Sequence, residues 1–367
     1  MEHKKIRAIG AAAVTAIWVI LTLLLWFGPA EAVSLSERRP LAQAPELSGK
    51  MVLNGTFMAD FEKYTLDQFP FRDTFRSVKS LVHYYALGQQ DNNDIYLAQG
   101  HAAQQDYPLN EASLDHVLER FHRVYEKYLQ DSGKIVMAVV PDKGYYLAEA
   151  SGHLAMDYET LFSRMEEGMP WADHIDLTDI LELKDYYRTD THWRQENLLD
   201  VARRLCEALG VAHFEEGELV SKKVNVPFYG VYRGQAALPM DADEMYLLTN
   251  GILEECTLYD YESGKTGAIY DMAGLESDDL YDVFLSGPRS LQTIENPNAG
   301  TGREMIVFRD SFGSSLVPLL VKDYARITLV DIRYMNLEVL DRFIEFGDQD
   351  VLFLYSTLVL NNSNTLK

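Results

Sequence analysis

The sequence predicts an α/β fold of three layers, in which helices cover both faces of a parallel sheet. Two observations support this prediction: short, almost continuous apolar runs recur along the chain, and segments with helical periodicity lie between them. A strand buried on both faces has a run of this kind. The apolar runs are 134–140, 305–308, 326–330 and 351–355. The helical segments include 110–131, 196–209, 313–321 and 337–346.

A transmembrane helix is predicted before this domain. Residues 8–29 carry no charge and follow a basic flank that contains Lys4, Lys5 and Arg7. A run of about 20 apolar residues is long enough to cross the hydrocarbon core, and a basic flank stays in the cytoplasm. The alternative is a signal peptide cleaved near Ala30-Glu31-Ala32. Either way, the rest of the chain is expected outside the cytoplasm.

The domain organisation follows from this topology. We predict a cytoplasmic tail over 1–7, an anchor over 8–29 and a linker over 30–49, which is polar and contains proline. Residues 50–367 form the extracytoplasmic domain. Within it, the stretch around 217–300 is less regular and rich in Tyr, Gly and Asp, which indicates an inserted segment that carries strands.

Composition excludes some classes of function. The chain has 367 residues, of which 47% are hydrophobic, so it can bury a sizeable core. Its formal net charge is −23, which argues against a nucleic-acid partner because nucleic acids are bound mainly through Lys and Arg. Two cysteines, Cys206 and Cys256, are too few for a disulfide framework or a cysteine-based zinc site. Cys206 is interpreted as a core residue, and a single Cys206–Cys256 bridge stays open.

Asp190 and His192 are the first candidates for catalysis, since they lie two residues apart in one predicted loop. A histidine base needs its ring oriented and its imidazolium stabilised, and a nearby carboxylate supplies both. The alternative is a solvated Asp190 and a structural His192 next to a packed Trp193.

Ser311 is the candidate nucleophile, because it follows the predicted strand 305–308 and precedes the predicted helix 313–321. Active sites of open α/β sheets gather at the carboxyl ends of the strands. N–H groups at the start of the following helix can stabilise an oxyanion. The alternative is that Ser311 only caps that helix. Taken together with Asp190 and His192, however, it completes the residue types of a hydrolase triad.

These residues also carry a resemblance to a known family. Asp190-Thr191-His192-Trp193 resembles the D-x-H-W motif of the alginate O-acetyltransferase family (the AlgX and AlgJ type) and is closer still to the DHHW proteins. Asp310-Ser311-Phe312 resembles the family's Gly-Asp-Ser block, with Arg309 in place of the glycine. The Asp-x-His block precedes the serine block, which is permuted relative to ordinary SGNH esterases. The resemblance implies an SGNH-hydrolase-like fold with Ser311, His192 and Asp190 as its triad.

Three further stretches match the family pattern: 67–72 resembles its D-Q-F-P-x-R segment, 141–143 its P-x-K strand end and 331–334 its D-x-R-Y stretch. The candidate substrate-binding residues are Lys143, Arg333, Tyr334, Trp193 and Arg309. Lys143 has an alternative role as the partner of an acidic neighbour. Tyr229-Gly230-Val231-Tyr232 is open to two interpretations, stacking on sugar rings or packing within the inserted segment.

The resemblance implies an extracytoplasmic O-acetyltransferase or acetylesterase that acts on a cell-surface or exported polysaccharide through an acyl-enzyme. It implies no metal or organic cofactor, and a multi-pass membrane acyltransferase as the supplier of the acyl group. The localisation that follows is the cell membrane, through a single pass, or secretion if the N-terminal helix is cleaved. Two alternatives stay open: deacetylation instead of transfer, and a catalytically inactive glycan-binding or scaffold protein, which Arg309 favours.

Overall fold

The computed structural model describes residues 2–277 and 279–367. The chain divides into two compact units, one formed by Met1–Asn92 with Arg233–Pro239 and the other by Asn93–Tyr232 with Met240–Lys367. The boundaries that we predict for the tail, the anchor, the linker and the extracytoplasmic domain stay predictions.

The first unit is mostly helical. Its helices are α1 (Glu2–Phe27), α2 (Gly49–Leu53), α3 (Thr56–Asp67) and α4 (Arg72–Leu81), with a π-helical turn at Val82–Ala86, and its strands are β1 (Val33–Ser34) and β2 (Arg39–Pro40). Within α1, the segment His3–Phe27 contains an 18-residue window with a mean hydropathy of 2.4, and it is the one helix in the described part that is long and apolar enough to cross a membrane. At 1.5 Å per residue these 25 residues span about 37 Å, more than the roughly 30 Å of a hydrocarbon core.

The segment that follows α1 is attached to the helices of its own unit. The side-chain amide of Gln68 donates to the carbonyls of Glu31 and Ala42 and accepts from the Glu31 N–H. The Asp67 carboxylate accepts two bonds from Arg39, at 2.6 and 2.9 Å, and one from the Ala42 N–H. The first two residues of the D-Q-F-P-x-R match therefore fasten the stretch 31–42, which the sequence suggests is a linker.

Beyond Asn92, strands and helices alternate. The strands are β3 (Ile95–Ala98), β4 (His101–Gln104), β5 (Ile135–Val140), β6 (Asp173–Ile175), β7 (Val220–Lys223), β8 (Tyr246–Thr249), β9 (Thr257–Asp260), β10 (Lys265–Ala268), β11 (Leu291–Glu295), β12 (Glu304–Arg309), β13 (Arg326–Val330) and β14 (Asp350–Ser356). The helices are α5 (Glu111–Tyr128), α6 (Lys143–Ser151), α7 (Tyr158–Gly168), α8 (Leu199–Leu209), α9 (Val231–Ala236), α10 (Gly251–Glu255), α11 (Gly313–Leu316) and α12 (Thr357–Asn361). The 3₁₀ turns are Leu183–Asp185, Gln195–Asn197, Met272–Glu276, Leu280–Val283, Val317–Asp323, Leu337–Arg342 and Ser363–Thr365.

The main sheet has eight strands in the order β10-β9-β11-β13-β12-β14-β5-β6. The five strands from β13 to β6 are parallel, which confirms the predicted parallel sheet. The other three are antiparallel, and they come from the stretch that we interpret as an insertion. They extend the sheet beyond β13, so this stretch contributes to the central layer as well as to the surface.

Helices pack on both faces of this sheet. Side chains alternate along β5, so that Val136 and Ala138 belong to one core cluster and Met137 and Val139 to the other. Helix α8 contributes to the first cluster and α5 to the second. The three-layer α/β class predicted from the sequence is therefore confirmed. Cys206 and Cys256 are both free thiols buried in the first cluster.

All four predicted helices are shorter than their patterns indicate, and two of them are wholly or partly 3₁₀. The helix predicted over 313–321 is a four-residue α-helix followed by a 3₁₀ helix that contains Pro318 near its start. A proline has no N–H to continue the α-helical bonds, so the tighter turn replaces them. The helix predicted over 337–346 is a 3₁₀ turn over Leu337–Arg342.

Candidate active site

The three predicted triad residues come together at the carboxyl edge of the parallel sheet. Ser311 lies in the turn between β12 and α11 and is partly exposed. Asp190 and His192 lie in a loop after β6, which a bridge between Tyr186 and Trp193 closes. Asp190 is completely buried and His192 is 7% exposed. The loop and the turn that carry the triad are 119 residues apart in the sequence.

The hydrogen bonds among the three side chains form a continuous chain. Oδ1 of Asp190 lies 2.6 Å from Nδ1 of His192, and Nε2 of His192 lies 2.8 Å from Oγ of Ser311. The His192 backbone N–H also donates to Asp190 Oδ1, at 3.1 Å. The carboxylate thus fixes the proton on Nδ1 and leaves Nε2 to accept the serine proton, as a nucleophile–base pair requires.

The Asp190 loop is held by Gly230, Val231 and Asp243, which lie later in the chain. The Asp243 carboxylate accepts from the N–H groups of Arg188 and Thr189, at 3.0 and 2.8 Å, and from the Thr189 hydroxyl at 2.6 Å. The Val231 N–H donates to Oδ2 of Asp190, at 2.9 Å. Both oxygens of the triad carboxylate therefore have donors, which stabilise its charged form in a buried position.

Gly230 lies directly against the backbone of Asp190. A Cβ atom at Gly230 would overlap the Cα and N atoms of Asp190, so no larger residue fits without moving the triad loop. The Gly230 N–H donates to the Thr189 hydroxyl, at 2.8 Å. These contacts favour packing over sugar stacking as the role of 229–232. The stretch packs on the triad loop.

The nucleophile turn is held by the neighbouring strand β14. The Asp310 carboxylate accepts from the N–H and the hydroxyl of Ser356, at 2.8 and 2.7 Å, and from the Phe312 N–H at 2.9 Å. The Asp310 N–H donates to the Leu354 carbonyl. Among the described residues, the N–H of Ser311 has no acceptor, so it is free to donate to an oxyanion that forms at the serine.

Arg309, which stands where the family has glycine, points into the interior. It is 1% exposed, and its guanidinium donates to the Ser314 hydroxyl and to the Gln292 side chain, at 2.9 and 3.2 Å. Burial lowers the pKa of this guanidinium from its ordinary value, against the opposing charge of Asp331. The side chain packs on Gly313, where a Cβ atom would lie 3.0–3.2 Å from Arg309 carbons.

Lys143 is a buried ammonium behind the triad loop. It is 2% exposed, and Nζ donates to the carbonyls of Tyr187 and Arg188, at 2.9 and 3.3 Å. Burial lowers the pKa of Lys143 to about 7, although the carboxylates of Asp190 and Asp243 act to raise it. Its contacts are with the backbone that leads to Asp190.

The remaining candidate substrate-binding residues differ in exposure. Trp193 is completely buried, and its indole N–H donates to the Phe312 carbonyl, at 3.0 Å. Arg333 forms an ion pair with Asp331 at 2.6 Å, and its guanidinium lies 5.4 Å from the ring of Tyr334, which is half exposed. Substrate binding by the five candidates stays a prediction, and their exposure favours Tyr334 for direct contact with a ligand.

One residue that the sequence does not single out, Tyr281, contacts the triad, and Tyr232 of the stretch 229–232 contacts the residue between Asp190 and His192. The ring of Tyr281 stacks on the imidazole of His192, with centroids 3.8 Å apart and planes 8° from parallel. Tyr232 donates a hydrogen bond to the hydroxyl of Thr191, at 3.0 Å. Tyr281 comes from an irregular stretch, where no periodicity links it to the triad. Among the described residues, no group of three or more His, Cys, Asp or Glu side chains is arranged to hold a metal ion.

Comparison with known proteins finds solved structures that are similar to this chain. No protein-family model matches the chain, and no curated protein does. A DHHW family protein from Eubacterium siraeum DSM 15702 matches with a TM-score of 0.59 and 22% identity, over 75% of this chain and 94% of that one. PatB1 from Bacillus cereus matches with a TM-score of 0.59 and 15% identity, over 72% of this chain and 96% of PatB1.

The O-acetyltransferase domain of Pseudomonas putida AlgJ is a more distant match, with a TM-score of 0.44 and 16% identity over 73% of this chain and 92% of the domain. At that TM-score the likeness has no bearing on activity. The first two matches establish the architecture independently of the motifs. The resemblance predicted from the sequence is therefore confirmed at the level of the fold, which this chain shares with the DHHW family protein and with PatB1.

Proposed function

We propose that the chain is an O-acetyltransferase or acetylesterase that acts on a polysaccharide through Ser311, His192 and Asp190. The observation that carries the proposal is the unbroken chain of hydrogen bonds from Asp190 to Ser311, made by two segments that the fold brings together. The sequence resemblance to the alginate O-acetyltransferase family indicates that acetyl is the group transferred and that a polysaccharide is the acceptor.

In the first half of the reaction, Ser311 Oγ attacks the carbonyl carbon of an acetyl donor while Nε2 of His192 takes the serine proton. The carbonyl oxygen becomes a tetrahedral oxyanion, which the free N–H of Ser311 stabilises. Asp190 keeps the imidazole in its orientation and stabilises the imidazolium. When the tetrahedral intermediate collapses, the bond to the leaving group breaks, the imidazolium gives it the proton, and an acetyl-serine remains.

In the second half, a hydroxyl group of the glycan attacks the acetyl-serine while His192 takes the hydroxyl proton. The serine leaves with that proton, and the glycan carries the ester. If water takes the place of the glycan hydroxyl, acetate is released and the enzyme is an esterase. The two outcomes share the acetyl-serine and the roles of the triad, so the acceptor that reaches the acetyl-serine decides between them. A multi-pass membrane acyltransferase as acyl supplier is part of the proposal.

The proposed location is the outer side of the membrane, with α1 as a retained anchor. The support is the length and hydropathy of α1 and the basic residues in its first two turns, Lys4, Lys5 and Arg7. Protease added to cells without an outer wall should digest the domain beyond residue 49. Complete protection from protease would contradict this topology.

The test of the catalytic proposal uses the full-length protein with a chromogenic acetyl ester and a sulfonyl fluoride. A structure of Bacillus cereus PatB1 with a sulfonyl adduct is among the matches, at 14% identity and a TM-score of 0.57 over 72% of this chain and 95% of that one, which makes this reagent suitable. We expect the sulfonyl group on Ser311, found by mass spectrometry of peptides. Ser311→Ala should take up no label and hydrolyse no ester, with its thermal midpoint close to that of the wild type.

His192→Ala and Asp190→Ala should add little further loss in the Ser311→Ala background, because the members of a triad act as a unit. An active Ser311→Ala variant, with the label on Ser314 or Ser315, would remove the catalytic proposal and leave the inactive glycan-binding alternative. That alternative rested on Arg309, whose guanidinium is directed at Ser314 and Gln292 rather than at the Ser311 hydroxyl. This orientation favours the catalytic function.

A further inference from the structure

The imidazole of His192 lies between two aromatic rings. Tyr281 stacks flat on one side at 3.8 Å, and Phe312 is tilted by 56° with its centroid 5.1 Å away. Tyr281 is 4% exposed, so the stacked pair is shielded from solvent. A parallel ring at this distance blocks rotation of the imidazole out of its plane, because any tilt would bring the two rings into overlap.

The position of Tyr281 is in turn set by Ser315. The Tyr281 hydroxyl donates to Ser315 Oγ at 2.8 Å, and the indole N–H of Trp193 donates to the same oxygen at 3.0 Å. The Ser315 carbonyl accepts from the side-chain amide of Gln195, at 2.8 Å. One buried serine is therefore bonded to the ring that stacks on His192 and to residues one and three positions after His192.

Ser315 also belongs to the helix that begins two residues after the nucleophile. A hydroxyl oxygen has two acceptor sites, and Tyr281 and Trp193 occupy both of them. Movement of this helix would carry Ser311 and the Tyr281 ring together, so the distance between base and nucleophile is preserved. A Ser-His contact that is wrong by 1 Å costs about 100-fold in rate, so such coupling has a measurable effect.

We propose that Tyr281 and Ser315 are positioning residues for His192, in which the ring of Tyr281 holds the plane of the imidazole and Ser315 holds that ring. This inference rests on the proposed function, since it assigns His192 the role of base. The stacked ring also favours the imidazolium that forms during the attack, because a cation is attracted to the face of an aromatic ring. Neither residue takes or gives a proton in the reaction.

The experiment compares three variants of the full-length protein in the ester assay. Tyr281→Leu removes the ring and should lower kcat by on the order of tenfold with little change in KM, because the ring acts in the chemical step. Tyr281→Phe keeps the ring and should stay within about threefold of the wild type. Ser315→Ala leaves the buried Tyr281 hydroxyl without its acceptor, while the Trp193 indole keeps the Phe312 carbonyl, and its kcat should fall between the two.

Tyr324→Leu is the matched control, since Tyr324 is a buried tyrosine whose hydroxyl bonds to Asp350 at the opposite edge of the sheet. It should lose stability as Tyr281→Leu does and keep its kcat. Equal values of kcat for Tyr281→Leu and Tyr324→Leu, or a Tyr281→Phe variant as slow as Tyr281→Leu, would overturn the inference.

A second measurement does not depend on turnover. In the Ser311→Ala background, diethyl pyrocarbonate should modify His192 several times faster when Tyr281→Leu is added, and at an unchanged rate when Tyr324→Leu is added. Mass spectrometry of the peptide that contains His192 gives both rates. If the ester assay shows that Ser311 is not the nucleophile but this acceleration is present, the proposed function fails while the stacking role stands. An absent acceleration removes the stacking role alone.

Discussion

The two segments that carry the triad are held in different ways. The nucleophile turn is attached to the strand next to it: Asp310 bonds to Leu354 and Ser356 of β14, in the parallel register of the sheet. The loop with Asp190 lies outside the main sheet. Its contacts come from Lys143, Val231 and Asp243, and from the N–H of Ala102 in β4, which donates to the Arg188 carbonyl. The main sheet therefore positions the serine, and contacts from outside that sheet position its base.

This difference predicts where the site is vulnerable, and Gly230→Ala should have the largest effect. The added methyl group overlaps the backbone of Asp190, and backbone atoms cannot move aside without displacing the triad. We expect ester hydrolysis to fall by at least about 100-fold, the cost of a 1 Å misplacement. Gly251→Ala is the control, because a Cβ atom there meets nothing within 4 Å. A Gly230→Ala variant with full activity would contradict the close approach of Gly230 to Asp190.

Asp243→Asn tests the second support of the Asp190 loop. The change replaces one acceptor oxygen by an NH₂ group, so at least one of the three buried donors from Arg188 and Thr189 loses its partner. An unsatisfied buried donor costs about 1–3 kcal/mol in the free energy of unfolding. Activity should fall by about tenfold as the loop loosens, a fall that corresponds to about 1.4 kcal/mol in the barrier. Denaturant unfolding and the ester assay give the two values, and a loss of stability at full activity would show that the loop does not need this support.

Lys143→Met tests the buried ammonium behind the Asp190 loop through the pH dependence of the free energy of unfolding. The pKa of Lys143 in the folded protein is about 7, below its ordinary value of 10.5. Between these values the unfolded chain binds more protons than the folded one, so wild-type stability should rise with pH across this window, and Lys143→Met should lack that rise. The slope is at most about 1.4 kcal/mol per pH unit. Below pH 7 the difference between the two proteins should be constant. The exposed Lys222→Met gives the baseline, and identical slopes for all three proteins would count against a buried ammonium.

Gly313→Ala should have the smallest effect, although it lies in the nucleophile turn. The added methyl would lie 3.0–3.2 Å from Cβ, Cγ and Cδ of Arg309, and a shift of a few tenths of an ångström would relieve that contact. We expect a loss of about 1 kcal/mol in the free energy of unfolding, at the low end of overpacking in a core, and activity within about threefold of the wild type. If Gly313→Ala were as damaging as Gly230→Ala, the contrast between the two segments would be lost.

The same contrast explains what the sequence can predict. Ser311 is recognisable because a continuous apolar strand precedes it and a turn follows, both of which are local features. Asp190 and His192 are recognisable only as a motif, because D-x-H alone does not specify its surroundings. The hydrogen bond from the Val231 N–H to Asp190 cannot be predicted from the residue type, since every residue except proline carries a backbone N–H. Tyr281 and Ser315 are not recognisable for a related reason: one lies in a stretch without periodicity, and the other resembles any serine in a short helix.

The attachment of residues 31–42 to Asp67 and Gln68 also limits how far the rest of the first unit can lie from helix α1. Helix α1 ends at Phe27 and the first fastened residue is Glu31, so only Gly28, Pro29 and Ala30 lie between them. An extended chain over those four steps measures at most about 14 Å. With α1 in a bilayer, the rest of the first unit would be tethered by a connection shorter than helix α3 is long. The first unit would then stay in a thin layer at the membrane surface.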